Sequence, residues 1–551
     1  MRLTSITLHT FAALAINGGV FAVVALAGAA LFRSDEPNER RWLVGPLTVA
    51  LAGYAVFWLG FLHKFAGLSA ACVILATALI VLWRRLDVMK ESIRLAAPVV
   101  LGMGLFVFAA TALLMVFPRE SVSATAQNRF SNGMPGDNAI PRVFAEIIAS
   151  GNPVRILGGD WLTSDRPPLQ TGVALLAWPL LSALGIDLDT ACATAGIWFQ
   201  ALWFPTVWLL LRALGLKARA ALGVSATLSA TGFLVFNSVY VWPKLGGAAF
   251  VIAAFVVWFA TRREGRDTNA RGRLALGAAC AACGWLAHGG VMFSLLALAP
   301  FAVFDVIRNK SWRNWLVAAG VFVLLASPWL LYQRYYSPPG NRLVKWHIGG
   351  VIPPDKRSVT EALRDSYREI GWRGAWDARV RNFHMLWVGN WSESFNPRAD
   401  AASRRTNDVF FPLRTAAAWT LGLTALPWLL VARRRALREH ANAHLLSAVW
   451  LFGGLTAWVA LMFFPEKVFT HQGSLVTQLL ILALLSAWAY RAGRIFFAIV
   501  VAVQWTGFLA TWTGPSTAPP VQLDNLAAAV AATAWTTLFA YAIYMLRKNE
   551  S

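Results

Sequence analysis

Charge is what this chain lacks. Only 14% of its 551 residues are Asp, Glu, Lys or Arg, while 57% are hydrophobic and the mean hydropathy is +0.54. A soluble protein carries roughly a quarter charged residues, so that class is excluded and the chain reads as a polytopic membrane protein. Acidic residues are the scarcer sign, 27 against 49 Lys and Arg, which leaves a formal net charge of +22. The excess does not point to nucleic acid, because basic residues of helical membrane proteins collect in cytoplasmic loops for topogenic reasons. Cysteine is almost absent: Cys72, Cys192, Cys280 and Cys283 all fall in apolar stretches. The Cys280-x-x-Cys283 pair has redox or metal spacing, but with no second pair and in a run of Ala and Gly it reads as small-residue helix packing. Internal repeats and low-complexity tracts are missing, and charged residues cluster at the ends of apolar segments. A transporter is expected to show repeats or midspan charges.

What is present is a series of apolar segments. Residues 7–32, 43–62, 67–83 and 95–117 are each near the length that crosses about 30 Å of hydrocarbon, and 7–32 is long for a cleaved leader, so it reads as a retained helix. Arg33, Arg40 and Arg41, and then Arg84, Arg85, Lys90 and Arg94, place two loops in the cytoplasm, which sends the chain after residue 117 to the outer face. A crossing at 169–185 would put Asp187 and Asp189 inside and Arg212, Lys217 and Arg219 outside, against the charge rule, so that run reads as juxtamembrane or re-entrant. The expectation is an all-α polytopic membrane fold of about 15 transmembrane helices. It comprises N-terminal spans in 1–117, an outer loop with amphipathic and juxtamembrane helices in 118–189, spans in 190–332, a small second outer segment in 333–411, and C-terminal spans in 412–551. The second outer segment holds a helix-like run from Val359 to Ile370 and five tryptophans, Trp346, Trp372, Trp376, Trp387 and Trp391, which read as an interfacial belt.

One polar stretch stands apart, from Gly136-Asp137-Asn138-Ala139-Ile140-Pro141-Arg142 to Gly159-Asp160-Trp161-Leu162-Thr163-Ser164-Asp165-Arg166-Pro167-Pro168-Leu169. Between its ends, Ile140, Val143, Phe144, Ile147 and Ile148 recur at the spacing of one apolar helix face, with Arg142 and Glu146 on the other. Asn138 is the expected cap, Pro141 is tolerable in the first turn, and Gly151 suits the position just past the end. This predicts a surface helix with Asp137 at its entrance and Arg166 delivered to the same membrane face.

An acidic residue heading a first outer loop, an amphipathic helix, and then a basic residue before Pro-Pro-Leu resembles the GT-C superfamily of integral membrane glycosyltransferases. The likeness is to the branch of protein O-mannosyltransferases and lipid A aminoarabinose transferases, and it is carried by Asp137 and Asp165-Arg166-Pro167-Pro168-Leu169. The resemblance implies a polyprenyl-phosphate-linked sugar donor, a glycan, lipid or protein acceptor, and an outward-facing site in the cytoplasmic (inner) membrane. Such a transfer needs a base for the acceptor's proton and cations for the departing phosphate. Asp137 is then the expected catalytic base and Arg166 the phosphate partner. Lys244, Lys467, His288 and His471, at span ends on the same face, are further candidate phosphate-binding groups, with Arg142, Asp160 and Asp165 in support. The residues establish no cofactor; a divalent metal shared by Asp165 and His288 stays open. Blander roles stay open: Asp137 also suits the positive end of the helix that follows, Arg166 could pair with Asp165 or Asp160, and Lys244 and Lys467 could be snorkelling anchors. With one base and no second nucleophile, the transfer would invert the anomeric configuration. A transporter or flippase of lipid-linked saccharides, or a glycan polymerase or ligase, are the alternative functions.

Overall fold

A computed structural model describes residues 2–31, 38–130, 136–151, 156–158, 161–260, 270–387, 404–405, 408–409, 412–432, 440–463, 475–515 and 522–547. Asp160, Lys467 and His471 lie outside the described residues. The protein is a multi-pass helical membrane protein. Among the described residues, nine helices are long and apolar enough to cross a bilayer: Ser5–Leu31, Trp42–Leu62, Lys64–Arg84, Ala96–Met115, Leu188–Ala213, Trp312–Tyr336, Ala441–Leu461, Arg494–Trp512 and Asn525–Arg547. Two bent pairs raise the number to 11 if each counts as one span. The first, Ala218–Leu228 with Gly232–Val239, turns by 77°, and the second, Gly289–Leu296 with Ala299–Asn309, by 42°. Two apolar runs in the 190–332 region, 220–239 and 291–307, are therefore broken in the middle, a feature that hydropathy does not register. The helices Lys244–Ala260 and Val476–Ala492 are apolar but shorter.

The run after Pro168 forms two short helices, Leu169–Leu176 and Trp178–Ala183. At 1.5 Å per residue neither crosses about 30 Å of hydrocarbon. All eight residues of Leu169–Leu176 are buried, so this piece is tucked inside the protein. It crosses the helix Asn38–Leu62 at two facing glycines. A Cβ on Gly172 would lie 2.2 Å from the carbonyl oxygen of Gly53, and one on Gly53 would lie 2.6 Å from the backbone nitrogen of Val173. Backbones approach this closely only where side chains are absent.

The amphipathic helix is Ile140–Ser150. It buries Ile140, Phe144 and Ile148, and the Phe144 ring meets Phe57 edge-on at 5.1 Å. Gly151 ends it in the left-handed region at φ 77°, its N–H donating to the Ile147 and Ile148 carbonyls. The cap expectation needs correcting. A 3-10 turn, Gly136–Ala139, precedes the helix, and Asn138 is buried within it. The Asn138 Oδ1 accepts from Gln127 Nε2 at 2.9 Å, so the side chain ties the turn to the helix Val122–Asn128 instead of capping. The remaining loop contributes a two-stranded antiparallel pair, 156–158 with 161–162.

Candidate functional site

Asp137 sits in the 3-10 turn at the head of the amphipathic helix. Arg166 follows a second 3-10 turn, Thr163–Asp165, which the backbone N–H of Leu162 closes by donating to Asp165 Oδ2 at 2.9 Å. Pro167 and Pro168 then remove two backbone donors, and the tucked helix starts at Leu169. A hydrogen bond from Thr171 Oγ1 to the Pro141 carbonyl, 3.2 Å, joins the tucked helix to the amphipathic one. The two loop ends are thereby held together: Arg166 Nη2 lies 2.5 Å from Asp137 Oδ2, and the guanidinium stacks 4.5 Å above the Trp161 ring.

Two further segments close on this pair. Trp242 Nε1 donates to Asp137 Oδ1 at 2.6 Å, so both carboxylate oxygens have partners. The turn that brings Trp242 in is strained, because Val241 adopts φ 55°, a region a β-branched residue rarely occupies. A buried amide relay holds it. Gln170 Nε2 donates to the Val241 carbonyl at 2.7 Å, Gln200 Nε2 to Gln170 Oε1 at 2.6 Å, and the Gly246 N–H to Gln200 Oε1 at 2.8 Å. Lys244 opens the next helix, Lys244–Phe255, with its Nζ 3.5 Å from the Trp242 ring centroid. His288 follows the helix Ala270–Ala287 and places Nε2 3.4 Å from Arg166 Nη1.

The state of His288 follows from its surroundings. Burial first, then the positive groups of Lys244 and Arg166, hold the imidazole well below its usual range, so it is neutral at pH 7. Its Nδ1 accepts the Gly290 N–H at 3.0 Å, which puts the single ring proton on Nε2. Arg166 Nη1 and His288 Nε2 are then both donors. Two donors side by side do not bond each other, and together they make this end of the site rich in N–H groups. Arg166 Nε is a further buried donor, with no hydrogen-bond partner among the described residues.

Asp165 is not part of this group. Its Oδ2 accepts from Arg342 Nη1 at 2.8 Å in a pair whose side chains are each 1% exposed. Arg342 also stacks near Trp161 and Trp346, at 5.6 and 5.7 Å, so Trp161 lies against both Arg166 and Arg342. Both partners of Asp165, Arg342 and the Leu162 N–H, bond Oδ2, and its Oδ1 is buried with no hydrogen-bond partner among the described residues. His288 lies on Arg166, and among the described residues no group of three or more His, Cys, Asp or Glu is placed to hold a metal. Arg142 also points elsewhere, pairing with Glu146 and, at 3.0 Å, with Asp189.

Of the sequence-derived candidates, the structure brings together Asp137, Arg166, Lys244 and His288. It adds two that sequence reasoning did not assign to the site, Trp161 and Trp242, with Arg342 stacked near Trp161 and His347 close enough to feel the charges of Arg166 and Lys244. Trp242 had a signal, being two residues before Lys244 in Tyr240-Val241-Trp242-Pro243-Lys244. His347 had none. It lies in the helix Arg342–Gly349, its Nδ1 2.6 Å from the Leu343 carbonyl. Burial pushes its pKa down to about 4, with Arg166 and Lys244 adding to the effect.

The chain matches no family model, no curated protein and no solved structure.

Proposed function

We propose that this protein is a GT-C-like membrane glycosyltransferase of about 15 spans that moves a sugar from a polyprenyl-phosphate-linked donor to an acceptor hydroxyl on the outer face of the cytoplasmic membrane. The observation that carries the reading is the pair of neighbouring donors, Arg166 Nη1 and His288 Nε2–H, beside the Asp137 carboxylate. The donors suit a phosphate oxygen, and the guanidinium fork suits two. The carboxylate suits a hydroxyl proton.

The residues divide the work as follows. The donor phosphate takes hydrogen bonds from Arg166 and His288, and Lys244 adds a basic group on the far side of Trp242. Phosphate on Arg166 draws the guanidinium from Asp137, which frees Oδ2 to accept the acceptor's proton. The acceptor oxygen bonds to the anomeric carbon as the bond from that carbon to the phosphate oxygen breaks, and the electron pair leaves with the phosphate. A single displacement inverts the configuration.

Purified protein in nanodiscs, given a radiolabelled polyprenyl-phosphate sugar and a panel of hydroxyl acceptors, should release polyprenyl phosphate and a glycoside of inverted configuration, and Asp137→Asn should abolish both products. Proteoliposomes that instead move intact lipid-linked saccharide across the bilayer, with Asp137→Asn without effect, would establish the flippase reading. A product of retained configuration would leave a transferase but remove the single displacement.

A further inference from the structure

The second outer segment contains a broken helix. Val359–Trp387 is interrupted at Gly371, whose φ 59° and ψ −174° are not helical, and residues 372–387 run on as a separate piece. Along this piece Trp372, Trp376, Val380 and Phe383 stand 80%, 59%, 49% and 56% exposed. At 100° per residue the four fall within about 80° of one another, a single stripe. The stripe is apolar and contiguous, and Trp372 and Trp376 stack at 6.5 Å. A soluble surface does not display such a row without a reason.

Two other faces of the same helix are accounted for. Ala378, Asn382 and Leu386 are buried, and Asn382 Nδ2 donates to the carbonyls of Val459 and Met462 at 2.9 and 2.7 Å. This side is fixed to the last turn of Ala441–Leu461, a helix long and apolar enough to cross a bilayer. Arg373, Asp377 and Arg381, at i, i+4 and i+8, are exposed on the remaining side. The stripe therefore lies between a face bonded to the end of a span and a face that carries charge.

The membrane's position follows from the span. Ala441–Leu461 exposes Leu445, Val449 and Phe452 by 62%, 49% and 60%, at i, i+4 and i+7, and these side chains are apolar enough to face hydrocarbon. The helix is 21 residues long, so a bilayer that it crosses end to end has its hydrocarbon boundary near Leu461, where residues 372–387 are attached. The helix piece thus sits at the level of the lipid headgroups, where indole rings partition preferentially.

We propose that residues 372–387 form an in-plane interfacial helix, with Trp372, Trp376, Val380 and Phe383 inserted among the headgroups and upper acyl chains and with Arg373 and Arg381 at the water side, against headgroup phosphates. The seating has a consequence for the site. Met462 receives Asn382, the next backbone N–H, Phe463, donates to the His347 carbonyl at 2.8 Å, and the helix that carries His347 also carries Arg342. The interfacial helix holds this end of the protein at a fixed height above the hydrocarbon. The inference is independent of the reaction proposed above.

The test is a nitroxide scan of the full chain in nanodiscs of phosphatidylethanolamine and phosphatidylglycerol, in a background without native cysteine. Labels at Trp372→Cys, Trp376→Cys, Val380→Cys and Phe383→Cys should be open to oxygen and closed to a water-soluble nickel complex. Labels at Arg373→Cys, Asp377→Cys and Arg381→Cys should show the reverse. Equal nickel access on both faces would mean that the stripe stands in water. Closure of the stripe to both reagents would mean that protein covers it, a second copy or a partner. Either result overturns the proposal. If the cysteine-free background does not fold, brominated-lipid quenching of the natural chain decides. Fluorescence lost in a Trp372→Phe, Trp376→Phe double variant should belong to the quenched fraction, and its belonging to the unquenched fraction overturns the proposal equally.

Discussion

Asp137 and Arg166, 29 residues apart in sequence, meet at 2.5 Å with 12% and 6% of their side chains exposed. In the reaction proposed above, a phosphate drawn onto the Arg166 guanidinium competes with Asp137 for its charge, so donor binding and release of Asp137 are coupled. This competition makes the two substitutions differ in sign. Asp137→Asn removes the competing charge and should tighten polyprenyl phosphate binding, by about tenfold if ~1.4 kcal/mol of competition is relieved, while transfer is abolished. Arg166→Ala should weaken binding and slow transfer together, by about 10²–10³-fold in turnover, the scale for loss of one preorganised donor. Titration by the rise in unfolding temperature with added polyprenyl phosphate measures the first quantity. Weaker binding in Asp137→Asn would show that the ion pair positions Arg166 for phosphate and does not compete with it.

Much of this was legible in the sequence because it is local. Low charge and long apolar runs require a membrane whatever the tertiary arrangement. The amphipathic helix follows from a five-residue apolar spacing, and Gly151 marks its end at φ 77°. Asp137 and Arg166 were legible as chemistry delivered to one face. The parts that were not legible depend on packing between distant segments. Asn138 had a stronger partner in Gln127 than in the helix it precedes. The pairing of Asp165 with Arg342, 177 residues later, has no local pattern to announce it. The breaks at 77° and 42° lie within runs whose hydropathy is continuous. His347 carries no pattern of its own and Trp242 only its place two residues before Lys244, and the fold alone shows what they touch.

Acid should loosen the site. The His347 imidazole titrates near 4 in the folded protein and near 6.5 in an unfolded chain. Between those values the unfolded chain binds a proton that the folded one refuses. The stability from this group is therefore full above about pH 6.5 and is lost as pH falls towards 4. His288 acts with the same sign. Asp165 acts with the opposite one, because burial raises its carboxyl pKa despite the pull of the Leu162 N–H and Arg342. The unfolding temperature in detergent should fall between pH 7 and pH 5, and less steeply in His347→Gln, whose amide can still donate to the Leu343 carbonyl. Equal slopes in the two proteins would show that His347 is not the titrating group.

Gly172 should tolerate no side chain. A Cβ there meets the Gly53 carbonyl oxygen at 2.2 Å and the Phe57 Cβ at 3.0 Å, and the first of these is backbone that cannot rotate away. Gly172→Ala must push the tucked helix from Asn38–Leu62, at a cost of about 1–3 kcal/mol for overpacking. Arg166 lies three residues before that helix, so the displacement reaches the site. Transfer should fall together with stability, whereas alanine at Gly104, where a Cβ meets only Trp198 at an ordinary 3.9 Å, should change neither.

Arg342 and Asp165 form the most enclosed ion pair described here, each side chain 1% exposed at 2.8 Å. Removing Arg342 leaves the Asp165 carboxylate buried with only the Leu162 N–H, and loss of one partner of a buried pair costs about 3–5 kcal/mol. Replacing both by neutral groups of similar size leaves no charge to strand. Arg342→Ala should therefore lower stability more than the double variant Asp165→Asn, Arg342→Met, although the double variant alters more atoms. Trp161 lies against both guanidiniums, so loss of Arg342 also removes one wall of the ring on which Arg166 rests. If the pair matters only for stability, the double variant should recover transfer along with its unfolding temperature. If Arg342 also positions Arg166 through Trp161, stability should recover while turnover stays low, and a parallel set of thermal unfolding and transfer measurements on the three variants separates the two outcomes.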